Sequence, residues 1–590
     1  MASLYDSASL VMLPSGVKES KVYSIKPTDG SGDFTFSRGT DTATRVNASG
    51  LIEKERSNQL LQSNSFDTTW QVNGVTLTSG QSGYDGTNDA WLLQRVDGVA
   101  RFVYQTISTT EVATFSVYVK EGNTDWVYIN TINTTAYFDL SGSGAVGLTT
   151  GSDLIDANIE SIGSGWFRVS IAANGIDGVR VYPAVGNGAI SGASGANIYI
   201  QDAMLNAGLV AQPYIETTTA AVYEGITDNL PRLDYSGGAS CPSLLLEPSR
   251  TNELPNSEYL LSGSGWNAND LNLEANAATS PEGVQNATKI IPTTNNVVHS
   301  LYKTSEPHLD HIYSAFVKAD GYNWVLFTSH ASSVPKSRGA FFYIADDGTA
   351  MEDRIGATGG GIVADIEDYG NGWFRISIDD GSSPSSLFSI IPSNADDVDS
   401  FAGDGTSGIL VYGLQNEAGS YPTSYIPTYG TSASRAGDVC RKEDAADLIG
   451  QTEGSFFYEF EMSLNNAIGT PICISEYAST SNFILVYQLQ SNTLSFRVRK
   501  NSVDQFNITS DILTKGKHKF AFAYKENDCV FYVDGVQIGT STNCQIPANL
   551  NRLSLVDVAT GINKVDSAVN QALVFKTRLT NAELAALTTL

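Results

Sequence analysis

Basic residues are scarce in this chain: 35 Lys and Arg stand against 63 Asp and Glu over 590 residues, for a formal charge of -28. So acidic a surface repels phosphate backbones and anionic lipid, which speaks against nucleic-acid and membrane-surface binding. Long apolar runs are also missing. None approaches the about 20 residues that span a bilayer, so no membrane insertion is expected. The opening MASLYDSASLVMLPSGVKES lacks the basic start and apolar stretch of a secretion signal. The chain is therefore expected to be made and kept in a cytoplasm until something releases it. The five cysteines, Cys241, Cys440, Cys473, Cys529 and Cys544, are odd in number and show no CxxC spacing. That argues against a disulfide framework and for buried free thiols. Histidine is limited to five residues; His308 and His311 form an HxxH beside Asp310, but no third ligand is evident. HExxH, nucleophile-triad and phosphate-loop signatures are absent, and GATGGGIVAD lacks the Lys-Ser/Thr ending of a phosphate loop.

What is present favours strands. Glycine numbers 54, aromatic residues make up 10%, and Ser and Thr fill the stretches between short apolar runs. An internal repeat organises the first three quarters of the chain, where a segment from about 55 to 221 recurs in diverged form from about 251 to 435. Arg56-Ser57-Asn58 and Trp70 answer to Arg250-Thr251-Asn252 and Trp266. FSVYVKEGNTDW, ending at Trp126, aligns without a gap on YSAFVKADGYNW, ending at Trp324. GSGWFRVSI with Trp166 and Arg168 answers to GNGWFRISI with Trp373 and Arg375. Within these anchors the period is two, as where Phe115, Val117 and Val119 alternate with Ser116, Tyr118 and Lys120. Each copy is expected to be a two-sheet sandwich or jelly roll. Six of the seven tryptophans pair between copies and are best explained by a shared core. Trp91 lies opposite Thr288 and is the candidate if any tryptophan is a ligand platform, with partial core burial the favoured reading.

Residues 1–54 and 222–250 share an Arg- and Gly-punctuated style unlike either repeat, so the first copy reads as an insertion into one leader unit. Here the strings ATRVNASGLIE, NLPRLDYSGGASCPSLLLEPSRTN and SYIPTYG resemble those of a widespread group of tailed-phage structural proteins. The resemblance covers roughly residues 1–435 and implies a place on a virion.

From about 447 to 590 the style changes. Tyr458, Phe460 and Met462 alternate with polar residues, Asp534-Gly535 suits a type I′ hairpin turn, and Thr580 and Glu583 have capping-box spacing ahead of a closing helix. This module resembles the concanavalin A-like (laminin-G-like) sandwich family, whose members are largely glycan or protein binders. In it Tyr477 and Tyr487 are the aromatic binding candidates. Glu459 and Glu461 are the nearest thing to a glycosidase carboxylate pair, but the ExDxxE pattern of the family's hydrolytic members is missing.

The expected architecture is all-β: tandem β-sandwich/jelly-roll modules followed by a concanavalin A-like sandwich. The expected units are a virion-anchoring leader at 1–54 continued by 222–250, modules at 55–221 and 251–435, and the lectin-like module at 447–590. No enzyme activity, catalytic residue or cofactor is expected, although the acidic turn with Asp396, Asp397, Asp399 and Asp404 leaves room for one structural Ca²⁺. The resemblance implies a virion protein assembled in the host cytoplasm, contacting other virion proteins through the leader and host-surface glycans through the last module. Such a tail fibre or receptor-binding adhesin would be a homo-oligomer, with a trimer favoured. A head fibre or capsid decoration is the alternative, and a glycan depolymerase a further one.

Overall fold

The computed structural model describes residues 2–97, 100–192, 194–261, 264–308, 310–329, 335–379, 381, 385–462, 469–477, 479–489, 492–555 and 567–590. Strands dominate, and the all-β fold class of tandem sandwiches holds.

The first sandwich packs two six-stranded antiparallel sheets. One runs in the order Leu154–Gly163, Trp166–Ile176, Thr109–Glu121, Asn197–Ala207, Ala90–Arg95 and Val75–Gln81. The other runs Ala145–Thr150, Thr135–Asp139, Trp126–Asn130, Val179–Ala184, Phe102–Gln105 and Gln71–Asn73. The second sandwich repeats both orders strand for strand: Val363–Asp368, Phe374–Asp379, His311–Asp320, Gly408–Ala418, Ala287–Pro292 and Leu271–Ala278 against Ile355–Thr358, Gly339–Tyr343, Trp324–Ser329, Ser385–Ser393, Ser300–His308 and Asn267–Asn269. Even the bulges coincide: register slips between Ser116 and Tyr118 in one copy and between Ser314 and Phe316 in the other.

The anchors shared by the two copies do the same mechanical work. Asn58 accepts from Leu60 N and Leu205 N, both at 3.1 Å, and donates to Ala203 O at 3.0 Å and Ile215 O at 2.8 Å. Asn252 accepts from Leu254 N at 3.2 Å and Asn416 N at 3.1 Å, and donates to Leu414 O at 3.1 Å and Ile426 O at 2.9 Å. Trp70 and Trp266 bury their rings and donate to the carbonyls of Gln62 and Asn256 at 3.1 and 3.0 Å. Arg168 reaches Ser116 Oγ and Gln212 O, as Arg375 reaches Ser314 Oγ and Thr423 O.

The expectation of a separate leader is corrected by strand pairing. Leu10–Met12 and Ser243–Leu246 both pair with Ser567–Phe575, and Phe34–Ser37 pairs with Val439–Lys442, which in turn pairs with Arg552–Ser554. Residues from both leader halves are thus strands of the third sandwich. Its sheets include Glu453–Met462, Gly516–Lys525 and Cys529–Val533 on one side and Gly469–Ser475, Phe483–Leu489 and Thr493–Lys500 on the other. The physical reason is that Leu10, Met12, Phe34, Phe36, Leu244 and Leu246 share one apolar core with Phe456, Tyr458, Phe520 and Phe522. At the chain's end Asn581–Thr588 forms the expected helix, with Thr580 and Glu583 closing a capping box.

A buried ion network lies beside this sandwich. Arg232 forms ion pairs with both Glu247 and Asp438; Arg435 meets Glu247 at 3.0 Å and Arg38 meets Asp438 at 3.5 Å. All five side chains are sequestered from solvent, and Arg435 and Arg232 hold the Glu247 carboxyl down to about 2 against the cost of its burial.

Candidate functional site

Trp91 does not form a platform. It is 8% exposed, lies in the core of the first sandwich edge-on to Phe66, and donates its indole N–H to Asn64 O at 2.9 Å. Tyr477 is 56% exposed and follows the strand Gly469–Ser475 with a left-handed φ of 44°, its backbone N–H donating to Asn551 Oδ1 at 2.7 Å. Tyr487 packs with Cys473, Phe483 and Leu485 on the outer face of the same sheet. Because Ser475 pairs with Phe483 and Gly469 with Gln488, the two tyrosines sit toward opposite ends of one hairpin and do not converge. Glu459 and Glu461 lie opposite Lys519 and Lys517 across the strand pair. In the acidic turn, Asp396 Oδ1 accepts from Ala357 N at 2.9 Å and Asp404 Oδ1 from Thr406 N at 2.8 Å. Among the described residues no three His, Cys, Asp or Glu side chains converge as a metal site. The His308 side chain lies outside the described residues, while His311 Nδ1 is 2.7 Å from Asn416 Oδ1.

A stronger candidate lies on the outer face of the first sandwich. In the sheet holding Trp126–Asn130, the residues Val103, Val127, Ile129, Phe138 and Val181 point inward to the core. The alternate positions therefore point out, and they are aromatic: Phe102, Tyr104, Tyr128, Tyr137 and Tyr182. Register sets Tyr128 opposite both Tyr137 and Tyr182. The rings form one continuous band, with centroids 5.4 Å apart for Tyr104 and Phe102, 4.7 Å for Phe102 and Tyr182, 4.9 Å for Tyr182 and Tyr128, and 4.5 Å for Tyr128 and Tyr137. Phe102, Tyr104 and Tyr128 are half-buried while Tyr137 and Tyr182 are buried beneath their neighbours, so Phe102, Tyr104 and Tyr128 are the rings a ligand can reach. Burial pushes the Tyr182 phenol up to about 12, so it stays neutral and able to donate.

Polar groups flank this band. The Arg180 guanidinium lies 5.6 Å from the Phe102 ring centroid and 5.8 Å from that of Tyr104, and donates to Asn130 Oδ1 at 2.8 Å. Among the described residues no carboxylate pairs with Arg180. Asn130 donates to Tyr128 OH at 3.3 Å, and Gln71 accepts from Tyr104 OH. Rings beside a guanidinium and carboxamides can stack on apolar ligand faces while exchanging hydrogen bonds with hydroxyl or acid groups.

The second sandwich lacks this face. There Leu326 pairs with Phe341 and Ile391 at the equivalent places, and all three are buried under a layer including Val298, Trp324 and Ala357. The sequence does carry a signal for the aromatic band, in aromatic residues at the outward positions of half-buried strands. It becomes legible only once strand order brings four distant segments together.

A cavity of about 280 Å³ lies where the two repeats meet the leader segment, lined by Asp41, Lys54, Glu55, Glu111, Gln212 and Tyr429 among others. Lys54 is buried and bonded to Glu258 and Glu282, each at 3.0 Å. Burial, with Asp41 and Asp228 nearby, pushes the Glu55 carboxyl up to about 8, and burial also raises Glu111. Gln212 crosses to Glu282 at 3.1 Å and Val112 N to Tyr429 O at 2.9 Å, so this cavity sits in the joint between the sandwiches.

No protein-family model matches the chain, and no curated protein matches its sequence. Among solved structures, a CBM40 module of the Ruminococcus gnavus IT-sialidase, bound to alpha2,3 sialyllactose, is similar over 24% of this chain and 86% of its own, at 13% identity and a TM-score of 0.22. The NanB sialidase from Streptococcus pneumoniae is similar over 25% of this chain and 26% of its own, at 10% identity and a TM-score of 0.22. A heptameric SAP-like pentraxin from Limulus polyphemus is similar over 23% of this chain and 69% of its own, at 15% identity and a TM-score of 0.18. Likeness this slight assigns no ligand and no activity.

Proposed function

We propose that this chain is a surface-displayed structural protein of a tailed-phage virion, acting as a tail fibre or receptor-binding adhesin that engages host-surface glycans. The observation that carries glycan binding is the aromatic band from Tyr104 to Tyr137 on the first sandwich, flanked by Arg180, Asn130 and Gln71. Pyranose rings expose C–H faces that stack on such rings, and their hydroxyls take hydrogen bonds from phenols and amides. A guanidinium with no carboxylate partner among the described residues favours glycans bearing carboxylate or sulfate groups. The virion assignment rests on the resemblance of the strings around Arg45, Arg232 and Tyr425, which also favours a homo-oligomer, with a trimer first.

Placement on the tail is preferred to a head fibre or capsid decoration. Antibody to the third sandwich should label the tail of intact particles, whereas label on the head would support the alternative. Incubation of the purified chain with a glycan array should give saturable binding without shortening of the bound chains. Release of reducing ends would favour a depolymerase instead.

A further inference from the structure

Two of the five cysteines meet inside the third sandwich. Cys529 opens the strand Cys529–Val533, and Cys544 follows the strand Val536–Ser541. Both are fully buried, and their Sγ atoms lie 2.7 Å apart, closer than two non-bonded sulfurs normally approach. The backbone holds them there: Cys529 pairs with Ser541, and Asn527 N donates to Cys544 O at 2.8 Å. Closing from this separation to the about 2.0 Å of a disulfide needs a shift of less than about 1 Å.

We propose that Cys529 and Cys544 are a cross-linking site, closing to an intramolecular disulfide when the folded protein meets a low-molecular-weight disulfide such as oxidised glutathione. One protein thiolate attacks the glutathione disulfide, forming a mixed disulfide and expelling one glutathione thiolate. The second protein thiolate then displaces the other glutathione. Two protein thiols thus become one disulfide, and one oxidised glutathione takes the two electrons and two protons to become two glutathione thiols. Exposed Thr542, Asn543 and Gln545 surround Cys544, so local opening of this turn admits the oxidant. The other three cysteines are placed differently: Cys241 is exposed, Cys473 lies on the outer face of the opposite sheet, and Cys440 shares the core but sits on that opposite sheet, paired with Phe36. The bridge would tie the edge of the sheet across 15 sequence positions and restrict the unfolded chain. It stands apart from whatever the aromatic band binds.

The test uses the full chain, kept reduced and then equilibrated with oxidised glutathione, denatured and alkylated. No Lys or Arg lies between Lys525 and Arg552, so trypsin leaves both cysteines in the peptide spanning 526–552. That peptide should be two hydrogens lighter and unalkylated, and cleavage before Asp534 should not separate its halves until reductant is added. The oxidised protein should melt higher than the reduced one by on the order of 5 °C, a difference that Cys544→Ser removes. Alkylation of both residues after equilibration, or a bridge from either to a different cysteine, would overturn the proposal. Should Cys544→Ser not fold, the peptide mass of the unaltered chain decides alone.

Discussion

Asn58 and Asn252 occupy the same node of two sandwiches: each carboxamide accepts from two backbone N–H groups and donates to two backbone carbonyls, all buried. Asn252→Ala strands four backbone groups at once. It should destabilise the second sandwich by about 2–4 kcal/mol. Calorimetry of the full chain should show one transition moving while the others stay.

The pairing of leader strands with the last module predicts the effect of truncation. Deleting residues 2–37 removes Leu10–Met12 from one sheet and Phe34–Ser37 from the other, and opens the core around Phe456 and Phe522. The third sandwich should lose its cooperative melting and become protease-sensitive. A true separate leader would leave that transition in place.

Much of the repeat was legible in sequence because its anchors are mechanical. Asn58, Trp70 and Arg168 recur as Asn252, Trp266 and Arg375 since each satisfies backbone groups that both folds must bury. The leader's role was hidden because its strands are short and their partners lie hundreds of residues away. Trp91 misleads for a different reason. The lack of a second tryptophan suggests exposure, yet Thr288 is equally buried at the equivalent place, so the two copies differ there in core volume. The aromatic band escapes single-strand periodicity because Phe102, Tyr128 and Tyr182 are as apolar as their core-facing neighbours Val103, Val127 and Val181, so no polar alternation marks either face.

The buried network around Arg232 gives acid sensitivity. Glu247 falls from its ordinary 4.5 to about 2 in the folded chain, so its contribution is present above about 4.5 and lost as pH drops toward 2. Glu247→Gln leaves Arg232 and Arg435 without that carboxylate and should cost about 3–5 kcal/mol at neutral pH. Denaturant midpoints at pH 7 and pH 3 should differ less in this variant than in the unaltered chain.

Glu55 has the opposite sign. Its folded value of about 8 lies above its ordinary 4.5, so protonation stabilises the joint fully below about 4.5, and that contribution fades as pH rises through 8. Asp41 and Asp228 oppose its ionisation, while Lys54 is engaged by Glu258 and Glu282. Limited proteolysis at the joint should speed up from pH 5 to pH 8.5 in the unaltered chain. Glu55→Gln should flatten that dependence.

The most direct measurement is titration of an array-selected glycan against the full chain and the double variant Tyr128→Ala/Tyr182→Ala, with melting curves confirming both are folded. The account predicts saturable binding to the unaltered chain, weakened at least about tenfold in the double variant and reduced by salt through Arg180. Undiminished affinity in the folded double variant, or no glycan bound by the unaltered chain, would contradict it.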